Sequence, residues 1–215
     1  MLTPKDFASV RLEYHAKPLL EEEAGADPFS LFRIWLADAI AVGIHEPNAM
    51  TLATVDDRRR PSARIVLMKA FDEQGLTFFT SYLGRKAKEL AANDHAAVVF
   101  LWEPMHRQVR IEGTVTRTSR EESEEYFHSR PRESQLAAWS AEQSTVIASR
   151  AELERSFEDF KQRFAGGPVS TPPTWGGFRL APQEFEFWQG RPNRLHDRLH
   201  YLRSQVGWTR TRLAP

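Results

Sequence analysis

Between residues 50 and 80, apolar side chains recur at every second position in three segments, residues 50–55, 62–70 and 76–80. This period is typical of β-strands whose two faces differ in polarity. The stretches between them, residues 56–61 and 72–75, contain the Asp, Pro and Gly residues that favour tight turns. Consecutive strands joined by short turns predict an antiparallel meander, because parallel strands need longer crossover connections. The rest of the chain must fit around this sheet.

The remaining patterns add strands and helices. Helices are expected after Asp27-Pro28, from Arg85, and after the capping boxes that begin at Ser119 and Ser149. Further strands are expected at residues 95–102, 107–116, 177–180, 185–189, 200–203 and 208–213. The sequence therefore predicts an α+β fold on an antiparallel β-barrel, with one domain at residues 27–215 and a flexible arm at residues 1–26.

Composition limits the possible partners and the compartment. The chain has 29 basic and 29 acidic residues, so no net field draws it to nucleic acid or to a membrane. Its longest apolar runs are too short to span a bilayer, and residues 1–25 have no apolar core like that of a signal peptide. The absence of cysteine excludes disulfides and thiol catalysis. We expect a cytoplasmic protein that binds anions through local clusters.

Residues 185–198 form the most chemically concentrated segment of the chain. They include two Phe, a Trp, three Arg, a His and two carboxylates. Aromatic rings and guanidinium groups stack on planar ligands, and the guanidinium fork also binds oxyanions. One interpretation is therefore a site for a flat anion. The alternative is a strand, a turn and a second strand with a solvated charged edge.

Basic residues elsewhere indicate two separate anion sites. Strand alternation places Arg64 and Lys69 on opposite faces, which favours one anionic group for each. Arg85 and Lys86 begin a helix, where free N–H groups and the helix dipole also attract phosphate. Tyr126 and Arg130 lie one helical turn apart.

Ser134 follows the break made by Pro131, where its hydroxyl could cap a second helix or complete a phosphate cradle. Gln108 lies on a strand, where its amide could reach the edge of a heterocycle. The sequence has no Gly-rich dinucleotide motif, no P-loop, no metal-ligand spacing and no serine-hydrolase elbow. A cofactor that brings its own chemistry fits this set of residues best.

Several segments, spread in order over nearly the whole chain from the first helix onward, carry a family resemblance. Two are highly specific: Ser-Arg-Pro-Arg-Glu-Ser at residues 129–134 and Arg-Leu-His-Asp-Arg at residues 194–198. In these segments the sequence resembles the pyridoxine/pyridoxamine 5′-phosphate oxidase family. The first of these lies within a longer matching segment, residues 126–135, and the others are residues 64–69, 85–86, 107–109, 143–144, 175–178, 186–193 and 212–215.

The resemblance implies a split antiparallel β-barrel with flanking helices, which forms a homodimer and binds FMN at the subunit interface. The FMN site it implies consists of Arg64, Ile65, Val66, Leu67, Met68, Lys69, Phe79, Thr80, Arg85, Lys86, Gln108, Gln143, Ser144, Trp188 and Arg198. The implied substrate phosphate site consists of Lys69, Tyr126, Arg130 and Ser134. Arg194 and His196 are the implied catalytic residues, placed against the pyridine ring.

The sequence departs from the family pattern at three places. Phe79 stands where the family often has Tyr, and Gly84 replaces a common Ser that could donate to phosphate. Arg11 and Tyr14, the implied substrate residues of the N-terminal arm, match their family motif only in part.

The implied reaction is the FMN-dependent oxidation of pyridoxine 5′-phosphate and pyridoxamine 5′-phosphate to pyridoxal 5′-phosphate, with oxygen (O2) reduced to hydrogen peroxide. Two alternatives stay open. One is a related flavin oxidase that acts on another cyclic substrate, and the other is a flavin or pyridoxal phosphate carrier without turnover. The set of Tyr126, Arg130 and Ser134 favours the phosphate-bearing substrate.

Overall fold

The computed structural model describes residues 16–215, so the predicted substrate residues Arg11 and Tyr14 lie outside the described part. The helices are α1 (Glu21–Ala24), α2 (Pro28–Ala41), α3 (Arg85–Ala92), α4 (Arg120–Ser129), α5 (Arg132–Ser140) and α6 (Arg150–Arg163). The strands are β1 (Ala49–Val55), β2 (Pro61–Leu67), β3 (Ala70–Asp72), β4 (Gly75–Ser81), β5 (His95–Trp102), β6 (Arg107–Arg117), β7 (Trp175–Gln189), β8 (Asp197–Ser204) and β9 (Gly207–Arg212).

The strands form one sheet in the order β2-β1-β5-β6-β7-β4-β3, and β8 extends from β7 and pairs with β9. The predicted turn between β1 and β2 sets an antiparallel register in which Leu52 faces Arg64. Strands β4 and β7 are also antiparallel, with Phe78 opposite Phe178. The first two predicted strands thus form an antiparallel hairpin, and the flanking helices are present. The prediction of a three-strand meander was wrong, because β4 lies between β7 and β3 and is not paired with β2.

The described chain divides into two compact units. The first contains residues up to Pro47, Val99–Ile111 and Gln183–Pro215, and the second contains Asn48–Val98 and Glu112–Pro182. The chain passes between them within β5, β6 and β7. The single domain at residues 27–215 stays a prediction, as does the flexible arm.

The core of the first unit is aromatic. Asp27 caps α2 by accepting hydrogen bonds from the backbone of Phe29 and Ser30, as its sequence predicts. The helix then buries Phe29 against Phe185, with ring centroids 5.3 Å apart, and Trp35 against Phe187, also at 5.3 Å. Edge-to-face contacts of this kind add to the free energy that burial alone contributes.

A second set of contacts in this unit fastens residues 19–21 to the last strand. The Arg212 guanidinium binds both carboxylate oxygens of Glu21, at 2.6 and 2.7 Å, and the carbonyl of Leu19 at 2.9 Å. Arg212 also binds Asp197 at 2.7 Å, next to the predicted site residue His196. The Glu21 carboxyl keeps a pKa of about 2, mainly because of its hydrogen bond with Arg212.

The second unit holds a core cluster between α4, α5 and the start of β7. Phe127, Leu136, Val169 and Trp175 are buried there, and Phe79 and Tyr126 pack against them. The capping box at Ser119 begins α4 as predicted, since its hydroxyl accepts from the backbone N–H of Glu122.

Three local expectations were wrong. The expected strand at residues 62–70 ends at Leu67, because the Met68 and Lys69 N–H groups donate to Asn48 and Thr77 instead. The two strands expected within residues 177–189 are one continuous strand, β7, that includes Pro182. Ser134 caps no helix, because α5 begins at Arg132 and Ser134 lies within its first turn. None of the helices within residues 16–215 is long and apolar enough to cross a membrane.

Candidate functional site

The second unit contains an open pocket of about 610 Å³. Many of the predicted cofactor and substrate residues line it together: Ile65, Val66, Leu67, Lys69, Phe79, Thr80, Lys86, Tyr126, Arg130, Ser134 and Gln143. Four elements, β2, β4, α4 and α5, supply most of them. Residues that lie far apart in the sequence therefore converge on one cavity, as a ligand site requires.

One wall of the pocket is an aromatic platform. The Phe79 and Tyr126 rings are nearly parallel, with centroids 4.0 Å apart, and the Trp175 ring lies 5.6 Å from Phe79 at an angle of 12°. Phe79, at a position where the family often has Tyr, thus contributes a stacked ring rather than a hydroxyl. Trp175 fixes this wall because it is buried in the core cluster.

Arg130 carries a positive charge into the pocket, and residues 16–215 supply no carboxylate that balances it. It follows the last residue of α4, and its guanidinium lies 4.8 Å from the Trp175 ring centroid. Its Nη1 is buried and has no hydrogen-bond partner among the described residues. Burial lowers the pKa of Arg130, although it stays charged. A buried, unsatisfied N–H on a cation is costly, so this group fits an oxyanion that would complete it.

Lys86 lines the same pocket and is the second residue of α3. Its ammonium donates to the Thr80 hydroxyl at 3.0 Å and to Oε1 of Gln143 at 2.6 Å. Burial, together with the charge of Arg64, lowers the pKa of Lys86. Gly84 is close-packed here, because a Cβ at this position would lie 2.5 Å from Oε1 of Gln143. The glycine leaves room for the amide that orients Lys86.

Arg64 and Arg85 share one buried carboxylate, that of Glu89. The Glu89 side chain accepts from Nη2 of Arg64 at 2.9 Å and from Nε of Arg85 at 2.8 Å. The hydroxyls of Thr54 and Ser62 donate to it as well, at 2.5 and 2.7 Å. Burial alone would raise the pKa of Glu89, but these hydrogen bonds outweigh it and hold the pKa at about 2.

Apart from Arg64, the predicted residues that do not line this pocket fall into two groups. Met68 is buried, and Arg85 and Ser144 line a neighbouring depression of about 480 Å³ together with Glu89. There the Ser144 hydroxyl accepts from the backbone N–H of Arg85, the first residue of α3. The other group, Gln108, Trp188, Arg194, His196 and Arg198, belongs to the first unit.

In the first unit, Trp188 and His196 pack against each other with ring centroids 4.7 Å apart. The backbone N–H of Arg191 donates to Nδ1 of His196 at 3.1 Å, which places the ring proton of the neutral form on Nε2. Burial, assisted by the charge of Arg194, lowers the pKa of His196, and Asp197 opposes this shift. The imidazole is therefore neutral at pH 7, with Nε2–H as a donor.

The loop before His196 presents Arg194 to solvent. Asn193 and Arg194 both have left-handed backbone conformations, with φ of 56° and 61°. Two consecutive non-glycine residues in this region are strained, and such strain is concentrated at functional sites. Arg194 is exposed and has no ion-pair partner among residues 16–215.

Arg198, by contrast, is fixed by a buried carboxylate. Its Nε and Nη2 donate to the two oxygens of Glu186 at 3.1 and 3.0 Å, and this bidentate pairing raises the pKa of Arg198. Gln108 lies half-buried on β6, as its alternation pattern predicts, between Arg107 and the buried Val109.

Sequence reasoning missed several pocket residues and both buried carboxylates. The additional lining residues are Ser81, Pro131, Ala137, Ala138, Ala141 and Trp175. Small residues at helical spacing, such as Ala137, Ala138 and Ala141, give no chemical signal in a sequence. The spacing of Arg85 and Glu89 on one helix is a signal for an ion pair, although it does not reveal the partners on β1 and β2.

The donors at the start of α3 fit a phosphate-bearing cofactor. Arg64, Arg85, Lys86 and Ser144 surround a helix N-terminus, where free N–H groups favour an anion. Within residues 16–215, no group of three or more His, Cys, Asp or Glu side chains could hold a metal ion. The arrangement can thus bind a phosphorylated ligand, and the aromatic platform can pack on a flat ring.

Comparisons with known proteins agree with this chemistry. The family model described as "Pyridoxamine 5′-phosphate oxidase" matches residues 36–164, and a model described as "Pyridoxine 5′-phosphate oxidase C-terminal dimerisation region" matches residues 175–215. A pyridoxine/pyridoxamine 5′-phosphate oxidase of Rubrobacter xylanophilus is 52% identical over 98% of this chain and 97% of its own length. One from Microcystis aeruginosa is 53% identical over 97% of this chain and 98% of its own length.

Solved structures confirm the fold class. PhzG from Burkholderia lata, in complex with tetrahydrophenazine-1-carboxylic acid, superposes with a TM-score of 0.87 at 28% identity, over 93% of this chain and 99% of its own. A pyridoxamine 5′-phosphate oxidase-related, FMN-binding protein from Nostoc punctiforme has a TM-score of 0.70 at 18% identity, over 86% of this chain and 97% of its own. The chain belongs to the pyridoxamine 5′-phosphate oxidase family.

Proposed function

We propose that this chain is an FMN-dependent oxidase that converts pyridoxine 5′-phosphate and pyridoxamine 5′-phosphate to pyridoxal 5′-phosphate. Pyridoxine 5′-phosphate and oxygen give pyridoxal 5′-phosphate and hydrogen peroxide. Pyridoxamine 5′-phosphate also consumes water and releases ammonia. The function named for relatives more than 50% identical over nearly the full length supports this reaction.

The observation that carries the proposal is the buried, unpartnered Nη1 of Arg130 in the aromatic pocket. A substrate phosphate would satisfy this nitrogen, with Lys69, Tyr126 and Ser134 as its other ligands. Binding the phosphate away from the reacting carbon lets the enzyme use that binding free energy to hold the pyridine ring in place. The platform of Phe79, Tyr126 and Trp175 supplies the apolar wall of the same pocket.

FMN, when bound, supplies the acceptor for the two electrons that leave the substrate, and oxygen takes them in turn. We propose that Arg64, Arg85, Lys86 and Ser144 hold its phosphate. Thr80 and Gln143 orient Lys86 toward it. The remaining contacts with the cofactor are assigned to Ile65, Val66, Leu67, Met68, Lys69, Phe79, Gln108, Trp188 and Arg198.

Arg194 and His196 are proposed to act on the substrate ring. A neutral His196 with its proton on Nε2 would donate a hydrogen bond to the phenolic oxygen of the substrate. Arg194 would cover the ring and favour negative charge on it. Both residues precede β8 in a loop whose backbone strain restricts where Arg194 can point.

The dimerisation model that matches residues 175–215 supports a homodimer. We propose that FMN lies at the subunit interface and that the protein works in the cytoplasm, where its substrates are phosphorylated metabolites. The assignments of Arg11 and Tyr14 to the substrate rest on the resemblance alone.

Anaerobic mixing with each substrate tests the proposed function. The absorbance of the bound flavin should bleach with pyridoxine 5′-phosphate or pyridoxamine 5′-phosphate, and unphosphorylated pyridoxine at the same concentration should act far more slowly. A flavin that stays oxidised with both phosphorylated substrates would contradict the proposal and favour a carrier or an oxidase of another cyclic compound. Purified protein without flavin, and without affinity for added FMN, would exclude both oxidase functions and a flavin carrier, and would leave only a pyridoxal phosphate carrier.

A further inference from the structure

We propose that Glu89 is a positioning residue that presents Arg85 and Arg64 to the phosphate of the cofactor. The inference rests on the proposed function, because it takes FMN as the ligand of these arginines. Glu89 lies on α3, one helical turn after Arg85, and only 4% of its surface is exposed. It lines the depression that also contains Arg85 and Ser144.

The two carboxylate oxygens have different partners. Oε1 accepts from Nε of Arg85, and neither terminal nitrogen of that guanidinium donates to Glu89, so both remain for a ligand. The side chain of Arg85 is 61% exposed, so without this contact it would sample many rotamers. Glu89 therefore removes most of the conformational entropy that Arg85 would otherwise lose when a phosphate binds.

Oε2 organises a second arginine. It accepts from Arg64 and from the hydroxyls of Thr54 and Ser62, and these hydroxyls in turn accept from the same guanidinium. Both terminal nitrogens of Arg64 are thus engaged on the protein side, so its Nε–H and its charge are what remain for the phosphate. Removing the carboxylate would leave the guanidinium with two hydroxyls and a carbonyl, which do not balance its charge.

Glu89 also adjusts the charge of the site. Arg64, Arg85 and Lys86 bring three positive charges, and the ionised Glu89 leaves two, which match a phosphate dianion. The low pKa of Glu89 keeps this balance throughout the neutral range. Without the carboxylate, three cations would repel one another around the start of α3 before any ligand arrives.

The test compares the affinities of FMN and riboflavin, which differ only in the phosphate. Apoprotein of full length is titrated with each flavin, and binding is followed by quenching of flavin fluorescence. We expect Glu89→Ala to weaken FMN binding by about tenfold or more, the effect of losing one charge-assisted contact, and to change riboflavin binding by less than about twofold. Glu89→Gln, which keeps one acceptor oxygen, should fall between the wild type and Glu89→Ala for FMN.

Glu154→Ala is the matched control. Arg150 and Glu154 form the same kind of pair one turn apart on α6, at 2.7 Å, but both side chains are exposed. This variant should leave both affinities unchanged. Should Glu89→Ala fail to fold, Glu89→Gln carries the same comparison.

Two results would overturn the proposal. One is an equal loss of affinity for FMN and riboflavin in the Glu89 variants, which would indicate a general structural role. The other is unchanged affinity for FMN. A failure of the proposed function would appear separately, in the wild-type protein, as no binding of FMN or no bleaching by the phosphorylated substrates.

Discussion

The arginines proposed to hold the cofactor and the cations proposed to hold the substrate are built differently. Arg64 and Arg85 bind the buried Glu89, and Arg198 binds the buried Glu186. For the three cations assigned to the substrate, the described residues include no carboxylate partner; these are Lys69, Arg130 and Arg194.

The difference indicates two ways of using a positive charge. A paired arginine is held in place before its ligand arrives, so it loses little entropy on binding, but part of its charge is already neutralised. An unpaired cation keeps its full attraction for an anion and has no position fixed by an ion pair. The first design suits a ligand that stays, and the second suits one that must enter and leave in every turnover.

Removing the carboxylate partner of a paired arginine should give the largest effect on stability. Glu186→Ala leaves Arg198 without its bidentate partner in a largely buried setting. We expect the free energy of unfolding of the apoprotein to fall by about 3 kcal/mol, measured by urea denaturation. Glu184→Ala is the control, because the ion pair of Glu184 with His200 is more exposed and should contribute less than about 1 kcal/mol. Equal losses in the two variants would contradict the distinction.

Removing an unpaired cation should cost activity rather than stability. In Arg130→Met the KM for pyridoxine 5′-phosphate should rise about 30-fold, or about 2 kcal/mol, because a charge-assisted contact with the phosphate is lost. The affinity for FMN and the free energy of unfolding should not fall, since no carboxylate is left unpaired. Arg132→Met, whose guanidinium binds backbone carbonyls nearby, should leave the KM unchanged. A fall in unfolding free energy of about 3 kcal/mol in Arg130→Met, as large as that expected for a broken buried ion pair and larger than loss of the Trp175 contact explains, would contradict an unpaired cation.

A smaller effect is expected at Lys86, because its ammonium is held by the neutral Gln143 amide and not by a carboxylate. In Gly84→Ala the new Cβ would displace the Gln143 amide from Lys86, and FMN affinity should fall about threefold, or about 0.6 kcal/mol. In a Gln143→Ala background the same change should have no further effect, because the displaced group is already absent. Additive losses in this double-mutant cycle would mean that Gly84 acts through the backbone instead.

The smallest effect concerns the pKa of His196, which can be followed by NMR as a function of pH. Burial and the charge of Arg194 lower it from the ordinary value of 6.5, so Arg194→Leu should raise it and Asp197→Asn should lower it further. Because the folded state favours neutral His196, its contribution to stability is present above pH 6.5 and is lost as pH falls through the lowered pKa. If the pKa of His196 stays the same in Arg194→Leu, the charge of Arg194 does not act on the imidazole, as it should if that charge is unpaired.

Local sequence patterns predicted the β1–β2 hairpin and most helices, because turn chemistry, caps and periodicity act over a few residues. They did not predict that β4 pairs with β7 and β3 rather than with β2. The Asp27 cap and the capping boxes at Ser119 and Ser149 are present as predicted. The end of β2 at Leu67 was not predictable, since it depends on Met68 pairing with Asn48, which lies 20 residues earlier. Distant pairings of this kind have no local signal.

The site was predictable through resemblance more than through pattern. The Tyr126 and Arg130 spacing correctly placed both side chains in one cavity. Buried Glu89 could not be recognised, because a charged residue in an amphipathic helix usually faces solvent and its partners Thr54 and Ser62 lie on other elements. Which charged residues neutralise each other depends on the tertiary structure, so the sequence shows each charged residue without its partner.

The tie between Glu21 and Arg212 has a consequence for the order in which the protein can fold. The two residues are 191 positions apart in the sequence, so residues 19–21 cannot be joined to β9 until all of the chain between them has been synthesised. Tyr201, whose hydroxyl binds the carbonyls of Ala24 and Gly25, closes a loop of similar length. Loss of Arg212 would leave this late closure without the side chain that completes it.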